Sequence, residues 1–171
     1  MSCPQQRGHT GGAAGGATTD SAPATRPSGR ARWEGLRDTL TLYAVVALGT
    51  VIGGVLRALA SVAAVALLGP GFPWGTLFVN VVGSFIIGFY ARLTAPDGRI
   101  LAGTRQRQFV MTGICGGFTT FSVFSLETFR LAASDNLLMA GVNTGISIVA
   151  WLGAVWLGHR LASRINRLGG S

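Results

Sequence analysis

Lysine is absent from this chain. All fourteen basic residues are arginine, six acidic residues oppose them, and the formal net charge is +8. Charged residues make up 12% of the sequence, against roughly 25% in an ordinary soluble domain. A chain so short of charge cannot clothe a water-exposed surface. Its 49% hydrophobic content and mean hydropathy of +0.46 describe an integral membrane protein. Cysteine is limited to Cys3 and Cys115, which excludes a disulfide framework and a cysteine-held metal cluster. Histidine is limited to His9 and His159, neither at membrane depth, and Glu127 is the one acidic residue inside an apolar span. A lone carboxylate with scattered serines makes neither an acid–base pair nor a nucleophilic triad, and a metal hydrolase would lack its ligands. Enzymatic activity is therefore excluded.

In a soluble chain an excess of arginine would point to nucleic acid. Here the arginines flank apolar spans, so they point to lipid phosphates and orientation signals, with no nucleic-acid partner. Residues 1–36 are rich in Gly, Ala, Ser, Thr and Pro and read as a disordered extension, without the short apolar core of a Sec signal peptide. Within it, Arg30–Asp38 with Trp33 reads as a surface anchor. A four-helix membrane domain follows over residues 37–161, then a basic tail over 162–171. The spans run from Thr39 to Leu68, Trp74 to Thr94, Gln108 to Ala133 and Leu137 to Leu157. Each meets the requirement of roughly 20 residues for a crossing. The expected fold is an all-α membrane protein.

Thr112–Thr128 stands out within the third span. It carries three glycines, six hydroxyls and the carboxylate of Glu127. Gly116-Gly117 followed by Thr119-Thr120 favours an unwound segment over a plain helix, and the third helix is expected to break mid-membrane. Unwound backbone at that depth survives only inside protein or beside a watery cavity. Its freed carbonyls can hold a cation, and its freed amides an anion. The competing reading is a kinked helix with small residues at a packing contact.

Other polar residues lie at membrane depth. Thr76, Asn80, Ser84 and Gly88 recur every four residues and form one stripe of the second helix. Asn80 is either an interhelical hydrogen bond that holds the bundle or an amide donor facing a path. Gly49, Gly53 and Gly54 offer a small face on the first helix, where Arg57 is the only charge. Arg57 either snorkels to the interface or draws anions into a vestibule. Asn143 and Ser147 share a face of the fourth helix, and Trp156 reads as an interface anchor. Phe121 and Phe124 share a helical face, by default for packing. Their rings also have positive edges that can steady a small anion. Hydroxyls of Ser122, Ser125 and Ser147 and the amide of Asn80 could then replace that anion's water. Four short helices are too few to enclose a path, so a second chain is expected.

Three stretches carry a resemblance. Gly49-Thr-Val-Ile-Gly53-Gly54-Val-Leu-Arg57, Trp74 to Phe85 (WGTLFVNVVGSF) and Gly113 to Glu127 (GICGGFTTFSVFSLE) are similar to the signatures of the CrcB/Fluc fluoride channels, and the likeness extends over roughly Gly49 to Gly158. The resemblance implies an antiparallel dimer with two fluoride pores and passive export of fluoride from a microbial cytoplasm. It implies a structural sodium ion at the dimer centre, held by the backbone carbonyls of Gly116 and Thr119. It implies that Asn80, Phe121 and Phe124 line the anion pathway, with Ser122 and Ser147 as hydroxyl contacts and Arg57 in the first-helix pattern. Ala58, Val123 and Asn143 depart from that pattern, replacing a tyrosine, a threonine and a tyrosine. The last two alter the polar track rather than the fold.

Two other classes compete. A small dimeric four-helix drug or cation antiporter needs a carboxylate in its first span, which holds only Arg57. A non-conducting assembly subunit needs no path at all. Orientation adds a constraint. With four spans, Arg7, Arg26, Arg30, Arg32, Arg37, Arg92, Arg99, Arg105, Arg107, Arg160, Arg164 and Arg167 share one side, leaving Arg130 and a snorkelling Arg57 for the other. Both termini are then expected in the cytoplasm, with the chain in the cell (inner) membrane. An antiparallel homodimer needs both insertions, so an oppositely oriented homologous subunit is expected as partner, with a second copy as the alternative.

Overall fold

The computed structural model describes residues 29–168. Those residues fold into helices joined by short loops, with no strand among them. Four stretches are long and apolar enough to cross a membrane: Trp33–Leu68, Trp74–Leu93, Thr104–Ala133 and Leu137–Arg167. The chain is thus an all-helical, multi-pass membrane protein.

Helix α1 covers Gly29–Leu68. Helical structure therefore begins ten residues before the expected span start at Thr39, taking in the segment read as a surface anchor. An ion pair of 2.6 Å between Asp38 and Arg105 ties this extension to the third span. Residues 1–28, including most of the expected extension, lie outside the described residues. Gly69 closes α1 with φ of +79°, the left-handed geometry that glycine supplies without strain, and its N–H reaches Val65 O at 3.0 Å. Helix α2 covers Trp74–Leu93 directly after Pro73.

The third span is composite. Helix α3 (Thr104–Gln108) passes into a π-wound segment, Phe109–Cys115, and then a single turn, α4 (Gly116–Phe118). Thr119 (φ −82°, ψ 158°) and Thr120 (φ −152°, ψ 126°) are extended, and helix α5 runs over Phe121–Ala133. Helix α6 covers Leu137–Leu168, so it continues through most of the stretch read as a tail.

The packing follows the small residues. Helix α1 crosses the π-wound segment and α4, while α2 lies along α6. A Cβ on Gly53 would fall 2.1 Å from Ile114 O, and one on Gly117 would fall 2.4 Å from Thr50 O. The α2–α6 crossing is set the same way. A Cβ on Gly88 would meet Val155 O at 2.2 Å, and one on Gly158 would meet Phe85 O at 2.3 Å. The expected small face of α1 is narrower than three glycines. Gly49 and Gly53 sit at the contact, but Gly54, turned about 100° around the helix, has nothing within 4 Å. Gly53→Ala is therefore expected to lower the melting temperature by several degrees, in line with an overpacking cost of about 1–3 kcal/mol. Gly54→Ala should leave it unchanged, and thermal unfolding in detergent checks both.

At the arginine-rich end, Arg92 joins α2, the following loop and α6. Its Nη1 donates to Asp97 Oδ1 at 2.8 Å and its Nε to Ser163 Oγ at 3.2 Å. Asn166 Nδ2 donates to Arg92 O at 3.0 Å, and Asn166 Oδ1 accepts from Arg99 N at 3.2 Å. The Arg92 guanidinium, through its hydrogen bond, holds the Asp97 carboxyl below the usual carboxylate range.

Candidate functional site

The two extended residues of the third span meet the polar stripe of α2. Asn80, 5% exposed, donates from Nδ2 to Thr120 O at 2.9 Å and accepts at Oδ1 from Thr120 N at 2.7 Å. One carboxamide thus satisfies both backbone groups of a residue that no helix can satisfy. The amide orientation is fixed, because the Thr120 N–H can only donate. Gly83, one turn along α2, makes room. A Cβ there would lie 2.2 Å from Thr119 Cγ2. Thr120 Oγ1 also accepts from Val123 N at 3.2 Å, capping α5.

These bonds leave other groups without helical partners. In a continuous helix the amide of Thr120 would serve Gly116 O, and that of Val123 would serve Thr119 O. Here the first is turned to Asn80 and the second to Thr120 Oγ1. The carbonyls of Gly116 and Thr119 do not receive those bonds. Gly116 is exposed and faces open space. The opening of α5 presents unbonded amides and the positive end of its dipole beside Thr120 and Ser122, which favours an anion there.

Asn80, Ser84, Thr119, Thr120, Phe121 and Trp151 are among the residues lining a hollow of about 240 Å3. Asn80 spends Oδ1 and one N–H on Thr120, and its second N–H has no partner among the described residues. The Phe121 and Phe124 rings lie 5.7 Å apart, as their shared face predicts, but their surroundings differ. Phe124 is 7% exposed, whereas Phe121 is 71% exposed. Ser122 Oγ lies 3.2 Å from Thr120 Oγ1 and is otherwise on the outer surface. Ser147 is buried, and its hydroxyl has no partner among the described residues. Asn143, on the same face of α6, donates to Thr128 Oγ1 at 2.8 Å. Arg57 is not brought to this cluster. It is half-buried on α1, with no ion pair or side-chain hydrogen bond among the described residues.

The chemistry of the cluster is that of a hydrogen-bond donor set. Hydroxyls, amide N–H groups and ring edges surround extended backbone at the head of a helix, with no basic side chain among them. Such a set suits a small anion with strong hydrogen-bond acceptance and leaves a large, weakly accepting one poorly held.

Comparison with known proteins decides the family. The family described as "CrcB-like protein, Camphor Resistance (CrcB)" matches residues 44–159. The chain belongs to the CrcB family. Over 136 residues it is 62% identical to the fluoride-specific ion channel FluC 1 of Rhodopseudomonas palustris (strain BisB18), covering 80% of this chain and 96% of that protein. A protein of the same name from Bradyrhizobium diazoefficiens is 55% identical over 142 residues, covering 83% of this chain and 96% of its own length. The fluoride-specific ion channel FluC of Opitutus terrae is 54% identical over 132 residues, covering 77% of this chain and all of the relative.

One residue of this CrcB chain joins the cluster unannounced by its sequence. Trp151 lies one turn beyond Ser147 on α6. Its ring meets Phe124 edge-on, with centroids 4.9 Å apart at 75°. Its indole N–H is buried without a partner among the described residues. The signal that could have found it is the run Asn143, Ser147, Trp151, spaced at i, i+4 and i+8 on one helical face. A hollow of about 490 Å3 lies elsewhere, at the end of the bundle near Gly69–Gly75, where Ser61, Thr76, Glu127 and Arg130 are among its lining residues.

Proposed function

We propose that this CrcB chain forms a fluoride channel, which lets the ion leave the cytoplasm passively and so lowers its toxicity. The observation that carries the reading is 62% identity, over nearly the whole of the relative, to a protein named a fluoride-specific ion channel. The donor set agrees with it. Fluoride holds its water tightly, so a path must offer replacement donors along its length. Asn80 supplies its spare N–H, Ser122 and Ser147 their hydroxyls, Trp151 its indole N–H, and Phe121 and Phe124 their ring edges. Arg57 raises the anion's local concentration at the mouth of the path. Complementation tests the function. Cells made fluoride-sensitive by loss of their own exporter should grow in millimolar fluoride when they express this chain. Continued sensitivity despite membrane-inserted protein would overturn the reading.

The working unit is proposed to be an antiparallel dimer, with the third helix of each chain broken at Thr119–Thr120 in mid-membrane. Support comes from the surface of α4 and α5, where Gly116, Ser122 and Ser125 are exposed beside Phe121. Polar groups at membrane depth are costly against lipid and find cover in a protein partner. That partner is an oppositely oriented homologous subunit or a second copy of the chain. The carbonyls of Gly116 and Thr119, released from helical bonds, fit a hard cation and would hold a structural sodium ion between the subunits. Bound there, the ion would offset the partial negative charge of those carbonyls. Prolonged removal of sodium is expected to abolish flux and loosen the dimer, read by size-exclusion chromatography alongside efflux. Full activity in sodium-free buffer with no retained ion would argue against the site.

The arginine count supports a reading in which both termini lie in the cytoplasm and the chain sits in the inner membrane. A C-terminal reporter active only in the cytoplasm should report nearly all of the chain. Equal signal from both sides would contradict a single orientation and favour the homodimer.

A further inference from the structure

Arg107 occupies an unusual position at the arginine-rich end. Two neighbouring arginines there have carboxylate partners, Arg92 with Asp97 and Arg105 with Asp38. Arg107 is half-buried, yet it has no ion pair or side-chain hydrogen bond among the described residues. It lines two adjoining hollows, the first more apolar than the second. The first, about 410 Å3, is walled by the loop after α2, including Pro96, Ile100, Leu101 and Ala102. Leu101 there is 93% exposed, an apolar side chain directed away from the protein. The second, about 280 Å3, is walled by Thr104, Gln108, Met111 and Thr112. Gln108 Oε1 accepts from the Thr112 hydroxyl, which leaves the Gln108 amide N–H groups to donate outward. No acidic residue lines either hollow.

We propose that these hollows form a binding site for one anionic phospholipid, with Arg107 as its phosphate-binding residue. The depth is right. Arg107 lies three residues into the span Thr104–Ala133, at the level where headgroups meet the hydrocarbon. The polar hollow offers a guanidinium, a hydroxyl and a carboxamide to a phosphodiester. The apolar hollow and the projecting Ile100 and Leu101 lie along the start of the acyl chains. A free phosphate would use the polar hollow and leave the apolar one empty of purpose. A net negative headgroup is preferred over a zwitterionic one. Arg99 is nearby on the same loop, and Arg37 immediately precedes Asp38 on the α1 extension that Arg105 grips. Basic pockets on that side of membrane helices recognise such lipids by the same electrostatics.

The test uses the full chain purified in detergent, with native mass spectrometry of added phosphatidylglycerol or phosphatidylcholine. The wild type should retain phosphatidylglycerol in clear preference. Arg107→Gln should weaken that retention by about tenfold, the size expected for one lost charge-assisted contact. Arg164→Gln, an exposed arginine on α6 that lines neither hollow, should change it by less than twofold. Leu101→Asn covers the case in which Arg107→Gln misfolds, because a side chain so exposed packs on nothing; it should weaken retention severalfold. Equal retention of the two lipids by the wild type would overturn the site. So would unchanged retention in either the Arg107 or the Leu101 variant. Full displacement of phosphatidylglycerol by millimolar inorganic phosphate would make free phosphate the ligand and defeat the lipid assignment.

Discussion

Asn80→Asp is expected to abolish fluoride flux while keeping the bundle folded. An aspartate at this position retains the acceptor for Thr120 N, so half of the present pairing survives. It loses the donor to Thr120 O, which leaves a buried carbonyl bare at a cost of about 1–3 kcal/mol. That loss is tolerable for a membrane bundle held by several glycine crossings. The effect on the ion is larger. A fixed negative charge would stand where the spare amide N–H now points, and two like charges about 4 Å apart repel by about 4 kcal/mol at an effective dielectric constant of 20. At about 1.4 kcal/mol per factor of ten, flux should fall by at least two orders of magnitude. Fluoride-electrode efflux and a melting curve of the same preparation check both halves. Near-normal flux in a folded variant would remove Asn80 from the path and leave it a bundle-holding residue.

Replacement of the phenylalanines by isoleucine separates packing from conduction. Phe124 is 7% exposed and lies between Phe121 and Trp151. Phe124→Ile should cost about 0.5–1.5 kcal/mol for each aromatic pair lost, as well as flux. Phe121 is 71% exposed in the single chain, so Phe121→Ile should change the stability of the isolated fold very little. If its ring edge steadies the passing anion, flux should still fall by roughly tenfold, the size of a contact worth about 1.4 kcal/mol. A fall in flux without a fall in stability at Phe121 is the signature of a path residue. Loss of both only at Phe124, with Phe121→Ile fully active, would reduce the pair to core packing.

Much of this arrangement is legible in the sequence, and the boundary is physical. Hydropathy finds the four crossings because spanning residues must be apolar, whatever they later touch. Period-four spacing finds the inward stripe of α2 and the Asn143–Ser147 face for the same local reason. Charge flanking marks the arginine-rich end. Partnership across the chain is not legible. Asn80 announces that its amide needs a partner, but nothing local says that the partner is the backbone of Thr120, forty residues on. Gly53 and Gly54 look alike in sequence. Only the crossing with Ile114 shows that one is obligatory and the other free. Helix limits also moved, because Arg30–Asp38 needs the tertiary contact of Asp38 with Arg105 to anchor it to the bundle. Trp151 was hidden because its unpartnered indole N–H shows only once α6 is packed beside Phe124.

The most direct test of the channel reading is efflux from liposomes that contain this chain, alone or with its homologous subunit. Vesicles loaded with potassium fluoride, with valinomycin to carry the counter-ion, should release fluoride rapidly to an external electrode, while matched chloride-loaded vesicles should release almost none. Fluoride release from the chain alone would also show that a second copy can serve as the partner subunit. Equal release of chloride, or no fluoride release from vesicles shown to contain the folded chain together with its homologous subunit, would contradict the account.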